Sequence, residues 1–269
     1  MHQPPQPTTP DLPGGLDGFR VEVDHDRERA DVVLDRPPLN VVTMRERDQL
    51  RAVFEALDRD PGVRVIVLRG AGKHFSSGGD IRGFLDSTPE RVSELAWNVA
   101  APERCHKPVV AAIRGYCFGV GFELSLACDF RIVSETAELA LPEQRIGMIP
   151  GSGGSARLVR MIGIARTKDV AMRSRRIPAR QAHEWGIAVE CVPDDELEAT
   201  TDAFIDDLRG FSPLAQRTLK GVLNAAPDAP LHVAIELEGQ AYGRLRSSDD
   251  FREGVESFYA KRKPAFKGT

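Results

Sequence analysis

Three short apolar runs, set apart by helical stretches, limit what this chain can fold into more than any other feature. They are Val65-Ile66-Val67-Leu68, Val109–Ile113 and, interrupted by Arg131, Phe130–Val133. Apolar runs of this length without alternation suit strands covered on both faces, as in a parallel sheet flanked by helices. Between the first two, Pro89 to Cys105 has a helical pattern, and Glu123 opens another helix before the third. Strand, crossover helix and strand in succession imply parallel pairing with right-handed connections, so the expected fold class is α/β.

The flanking segments fit that plan. Phe19 to Asp35 alternates apolar and polar residues around a charged turn, His25–Glu28, which predicts a hairpin. Met44 to Asp58 carries Leu50, Val53, Phe54 and Leu57 at helical spacing and stops at Pro61-Gly62. Beyond the third run, helices are predicted over Gly154–Met161, Arg166–Met172 and Ala179–Gly186, with a strand over Ile187–Val192. From Glu196 the pattern is wholly helical: Leu197–Leu208, Pro213–Ala226, Leu231–Arg246 and Asp249–Lys261. The expected organisation is a disordered Pro-rich tail over 1–18, an α/β core over 19–199 and a helical region over 200–269.

Composition excludes several function classes. A chain of 269 residues with 41% apolar content can bury one substantial core. A net charge of -4 leaves no basic field for nucleic acid, and Arg173–Arg176 is too short to create one. No apolar stretch approaches the ~20 residues of a membrane span. The start, Met1 to Pro10, has neither an apolar leader nor a transit-peptide pattern, so the expected location is the cytoplasm. Cys105, Cys117, Cys128 and Cys191 form no Cys-x-x-Cys pair and read as small hydrophobes. The six histidines lack the i, i+4 spacing of a helical metal site, and no phosphate-binding Gly-x-x-x-x-Gly-Lys loop is present. No metal or cofactor is expected.

The chemistry is concentrated in Ile113–Pro150. Gly115, Gly119 and Gly121 deliver Glu123 into an apolar helical start among Phe122, Leu124, Leu126 and Ala127. An ionised carboxylate in such surroundings is costly, so it is either held by structural partners or set up for proton transfer. Glu143, after Pro142, is a second acid between apolar stretches. Glycines near a helix start also let backbone N–H groups approach a ligand's negative charge. A second such turn, Ser76-Ser77-Gly78-Gly79-Asp80, follows the Val65–Leu68 run. Taken singly, each feature has a plainer reading: a turn, a helix-terminal charge, a solvated loop acid.

In order, Arg36-Pro-Pro-Leu-Asn40, Phe75-Ser-Ser-Gly-Gly-Asp80, Gly115-Tyr-Cys-Phe-Gly-Val-Gly-Phe-Glu123, Pro142-Glu143 and Ile149-Pro-Gly-Ser-Gly-Gly154 resemble the crotonase superfamily, the enoyl-CoA hydratase/isomerase family. The resemblance runs from about Phe19 to the C-terminus. It implies a ββα spiral core whose C-terminal helices pack across subunits in a homotrimer or a dimer of trimers. It also implies an acyl-CoA thioester substrate, with coenzyme A as part of that substrate and no separate cofactor. By the same resemblance, the backbone N–H groups of Gly79 and Val120 form the oxyanion hole. Glu123 takes a proton from water, and Glu143 delivers one to the α-carbon. Ser77 contacts the adenine through its backbone, Phe258 lines the acyl pocket and Lys261 reaches the CoA phosphates. Asp80 lies in the substrate-binding motif, although its own chemistry reads as a cap for a helix Ile81–Leu85.

Both carboxylates together favour hydration of an enoyl thioester. An isomerase, or a hydratase for a polar, branched or cyclic acyl group such as crotonobetainyl-CoA, is the alternative. A non-catalytic binding relative has no use for two acids and two glycine turns. Two departures stand out. Val120 occupies a position where glycine is common. Arg173-Ser174-Arg175-Arg176 stands where relatives often read Leu-Thr-Gly-Arg, so Arg175 replaces a helix-ending glycine and is expected to avoid φ > 0 through a local change of turn.

Overall fold

The computed structural model describes residues 12–269. Residues 1–11 of the expected tail lie outside that range. In the remainder of it, Leu12 and Leu16 pack against the core and Asp17 N donates to Gln49 Oε1 at 3.0 Å. The described residues form two compact units, one comprising Val109–Asp202 with the chain up to Cys105, the other His106–Pro108 with Ala203–Thr269.

The first unit is built on strands β1 (Phe19–Asp24), β2 (Arg29–Leu34), β3 (Val65–Gly70), β4 (Val109–Ile113), β5 (Tyr116–Phe118), β6 (Phe130–Ser134), β7 (Glu138–Ala140), β8 (Ile177–Pro178) and β9 (Glu190–Val192). β1 and β2 form the expected antiparallel hairpin, with Phe19 opposite Leu34. From β2 onward the main sheet is parallel, in the order β1-β2-β3-β4-β6-β9. The apolar runs explain this. All of β4 and the first four residues of β3 are buried, whereas β1 at the edge alternates in burial. The helix Met44–Arg59 starts in a capping box, in which Thr43 Oγ1 accepts from Glu46 N at 3.1 Å and Glu46 Oε2 accepts from Thr43 N at 3.3 Å. Its Leu50, Val53, Phe54 and Leu57 join the core as their spacing requires.

Two local expectations are corrected. Pro89 to Cys105 is not one helix but three short ones, Pro89–Ser93, Leu95–Val99 and Ala101–Arg104; Pro102 lacks the N–H that would carry a continuous helix through. The glycine-rich turn contains a strand, β5, which pairs with β7, and β7 with β8, in a second small sheet. Three residues are too few for a period-two pattern to declare itself. Helix Gly154–Arg173 is broken at Gly163, in agreement with the two predicted segments. At its end Arg175 avoids positive φ, because Ser174, one residue earlier, takes the left-handed conformation at φ 50° and ψ 38°. Arg175 is thereby free to bond Asp169 Oδ2 at 2.5 Å and Gln181 Oε1 at 2.8 Å.

The second unit contains the helices Pro213–Ala225, Leu231–Leu245 and Asp249–Ala260, and the boundary between the units falls within the helix Leu197–Arg209. Buried Asp250 organises its end, accepting from Ser212 Oγ at 2.5 Å and from Lys267 N at 2.7 Å. Phe258 is 79% exposed and meets Tyr259 edge-on at 5.8 Å, and Lys261 closes the last helix in the left-handed region. Among the described residues no helix is long and apolar enough to cross a membrane.

Candidate active site

The site forms where two turns are stitched together. Ser76 N donates to Tyr116 O at 2.8 Å and Phe118 N to Ser76 O at 2.9 Å, so the Ser76–Gly79 turn lies beside the Phe118–Val120 turn. Asn40 braces the first from behind: its Nδ2 donates to His74 O at 2.7 Å, and its carbonyl accepts from Ser76 Oγ at 2.7 Å. Gly119 has φ 51° and ψ -124°, a conformation that an L side chain rarely adopts, and a Cβ there would stand 3.2 Å from Glu143 Oε1. Within the Phe118–Val120 turn the unusual geometry is therefore confined to Gly119. Val120 is the first residue of the wholly buried helix Val120–Ala127, where a β-branched residue fits. Among the described residues, neither Gly79 N–H nor Val120 N–H donates to a protein acceptor.

These turns border a cavity of about 290 Å³ within the first unit, also lined by Ser77, Phe84, Glu123, Glu143, Met148 and Ser152. Glu123 is 3% exposed, and its Oε1 accepts from Ser152 N at 2.7 Å and Gly154 N at 3.1 Å. The carboxylate thus sits at the N-terminus of helix Gly154–Arg173, where N–H groups and the helix dipole favour negative charge. A Cβ at Gly154 would lie 2.9 Å from Leu141 Cδ2 and 3.0 Å from Glu123 Cγ, so a side chain there would press on the Glu123 carboxylate. Burial raises the Glu123 pKa, and the two N–H bonds and the charges of Arg47 and Arg157 only partly oppose it. Its Oε2 makes no hydrogen bond to the described residues.

Glu143 opens the short 3-10 helix Glu143–Ile146, and among the described residues its buried Oε2 has no partner. Burial pushes its carboxyl up to about 7, opposed by a backbone hydrogen bond and reinforced by the charge of Glu123. The cavity therefore holds two acids whose burial raises their affinity for a proton, beside two uncommitted backbone donors. That combination can remove a proton from one atom, deliver one to another, and stabilise negative charge on an oxygen between them.

The remaining sequence candidates are placed as follows. Ser77 lines the cavity, but its N–H already donates to Leu39 O at 2.8 Å, leaving its carbonyl and hydroxyl for a ligand. Asp80 does not line the cavity: its Oδ1 accepts from Arg82 N at 3.1 Å, at the start of helix Arg82–Leu85, one residue later than expected. Phe258 and Lys261 belong to the second unit. Arg173–Arg176 lies outside the cavity lining. Among the described residues no group of three His, Cys, Asp or Glu side chains is arranged to hold a metal ion.

Two features escaped sequence reasoning. The backbone cradle for Glu123 lies in Gly151-Ser-Gly-Gly154, a matched motif whose partner was not apparent. Arg47 lines the cavity from helix Met44–Arg59. Its position three residues before Leu50 continues the stripe Leu50, Val53, Phe54, Leu57, and a charge on a core stripe was the available signal.

A family model described as enoyl-CoA hydratase/isomerase matches residues 28–269. The chain is 34% identical over 246 residues to a carnitinyl-CoA dehydratase of Proteus mirabilis, covering 88% of this chain and 94% of that one. It is 35% identical over 244 residues to a probable enoyl-CoA hydratase of Rhizobium meliloti, covering 88% and 93%. Among solved structures, an enoyl-CoA hydratase from Bacillus anthracis superposes with a TM-score of 0.87 at 32% identity, covering 94% of this chain and 100% of that one.

Proposed function

This chain belongs to the enoyl-CoA hydratase/isomerase family, and on that premise we propose that it adds water across the 2,3 double bond of an enoyl-CoA thioester to give a 3-hydroxyacyl-CoA. The observation that carries the reading is the pair Glu123 and Glu143 on one cavity bordered by two turns with uncommitted N–H groups. Glu123 takes a proton from water through Oε2 as the water oxygen bonds to the β-carbon. The displaced electron pair moves to the thioester oxygen, where Gly79 N–H and Val120 N–H bind the developing enolate. Glu143 then gives its proton to the α-carbon. An isomerase needs one proton carrier rather than a water held by two, which is why hydration is preferred.

The test is absorbance loss on incubation with crotonyl-CoA, where the conjugated thioester chromophore disappears on hydration. An enzyme that shifts the double bond of a 3-enoyl thioester but adds no water to a 2-enoyl one would defeat this reading. Lys261 is assigned to the CoA phosphates. Lys261→Ala is expected to raise KM several-fold at low ionic strength and less at high, as screening predicts; KM unchanged at both would remove Lys261 from the site. Exposed Tyr242, Phe258 and Tyr259, beside an apolar cavity of about 530 Å³ in the second unit, support assembly as a homotrimer or a dimer of trimers.

The pH dependence follows from proton counting. Hydration starts with Glu123 ionised and Glu143 protonated and ends with the reverse. Both directions therefore use the pair holding one proton, and kcat/KM should be bell-shaped. The folded-state shift of Glu143 is upward, to about 7, so the last proton leaves as pH rises through about 7. Above that, kcat/KM should fall about tenfold per pH unit. A profile flat from pH 6 to 9 would contradict the assignment of Glu143 as proton donor.

A further inference from the structure

We infer that Arg47 is a specificity residue of this site, and that the preferred acyl group carries a carboxylate which the Arg47 guanidinium binds. The inference rests on the hydratase reading for the identity of the thioester, and on the following observations for the charge.

Arg47 is 4% exposed and lines the cavity. Among the described residues its guanidinium donates to no acceptor: it makes no hydrogen bond and no ion pair, and its Nε is buried without an acceptor. Arginine stays charged in proteins, so this is a desolvated cation with several unused donors, an arrangement that is costly unless something anionic completes it. The nearby acids do not serve. Glu46 Oε2 is engaged by Thr43 N and approached by Arg36 at 3.6 Å while its Oε1 is buried without a partner among the described residues, and Glu123 commits Oε1 to Ser152 and Gly154; neither carboxylate makes a hydrogen bond or ion pair with Arg47. Both attract Arg47 through space without reaching ion-pair distance.

Its position identifies which part of the substrate could reach it. A Cβ at Gly79 would lie 2.5 Å from Arg47 Nη2, and the Phe84 ring centroid is 5.3 Å from the guanidinium carbon. Arg47 therefore stands beside the proposed oxyanion donor and Glu123, at the reacting end of the cavity. The part of the thioester next to the reacting atoms is the acyl chain, not the nucleotide. A planar fork with free N–H groups matches a carboxylate bidentately, whereas a cationic acyl group, the crotonobetainyl group among them, would meet a like charge. Arg145 also lines the cavity but is exposed, where solvent screens it.

The experiment is calorimetric titration of the full-length enzyme with unreactive saturated ligands, succinyl-CoA and glutaryl-CoA, each against its terminal amide. The expected result is that at least one carboxylate ligand binds about tenfold to a hundredfold tighter than its amide, the range of hydrogen bonds to charged groups. Arg47→Met should bring that ratio close to one, and Arg47→Lys, which keeps the charge and loses the fork, should retain part of it. Thermal melts establish that each variant is folded, and Arg47→Lys carries the test if Arg47→Met is not. Equal affinity for acid and amide in the parent overturns the inference. So does discrimination that survives Arg47→Met. Were Arg47 only a counter-charge for Glu123, its replacement would lower hydration of charged and neutral enoyl thioesters alike and leave the binding ratio at one throughout, which also overturns it. Discrimination in an enzyme that hydrates no enoyl thioester would instead defeat the hydratase reading and leave the Arg47 assignment standing.

Discussion

Glu123→Gln and Glu143→Gln are each expected to lower hydration turnover by ~10²-fold or more with little change in thioester binding, because an amide keeps the shape of the carboxyl and cannot relay a proton. For Glu123 the local geometry is favourable to such a test. A glutamine carbonyl oxygen can still accept from Ser152 N and Gly154 N, so the cradle survives while the free oxygen facing the cavity becomes an N–H donor. The double variant should lose much less than the product of the single losses, since both residues act on one water and one pair of proton transfers. An isomerase gives another pattern: one substitution abolishes double-bond migration and the other largely spares it. Hydration that survives Glu143→Gln would remove that residue from the mechanism, and survival of both single changes would remove the site.

The same variants carry a second readout that a purely structural role would share but a solvated acid would not. Burial raises the folded-state pKa of Glu143 from 4.5 to about 7. The native state therefore binds the proton more tightly than the unfolded chain, and stability falls as pH rises from about 4.5 to about 7. Glu46, also pushed up to about 7 by burial, contributes in the same window in parent and variant alike. The difference in thermal stability between the parent and Glu143→Gln should consequently grow with pH across that window and level off above it. A difference independent of pH would mean that Glu143 titrates like a solvent-exposed carboxylate.

What could be read from the chain followed from where physical constraints are local. β4 and the first four residues of β3 were legible because full burial forbids polar residues along them, and the parallel order followed from the helices between. Glu123 was legible because a carboxylate inside Phe122–Ala127 has to be explained by something. Its partners were not, because Ser152 and Gly154 act through backbone N–H groups, which every residue except proline possesses, and only the approach of two distant segments selects them. Arg47 was hidden for a different reason: its place on the apolar stripe of Met44–Arg59 marks it as unusual, but what it faces depends on its neighbours in space. The three pieces of Pro89–Arg104 and the left-handed Ser174 depend on how short segments are tied at both ends, which periodicity does not encode.

Val120→Pro should cut kcat by ~10²–10³-fold, the usual cost of losing one backbone donor to a developing oxyanion. Proline is the right probe because Val120 is the first residue of its helix, where an N–H has no intrahelical acceptor and φ near -65° is already required. The residue before a proline is normally restricted through its Cβ, and here that residue is Gly119, which has none. The substitution therefore removes the N–H with little demand on the fold. Val120→Ala separates the donor from the side chain: it keeps the N–H, shortens the buried side chain, and should cost far less than the proline. A folded Val120→Pro enzyme that turns over as fast as Val120→Ala would mean that the thioester oxygen is stabilised elsewhere. With Arg47 Nη2 packed against Gly79, a simultaneous Arg47→Met change would then show whether the guanidinium had taken over that task.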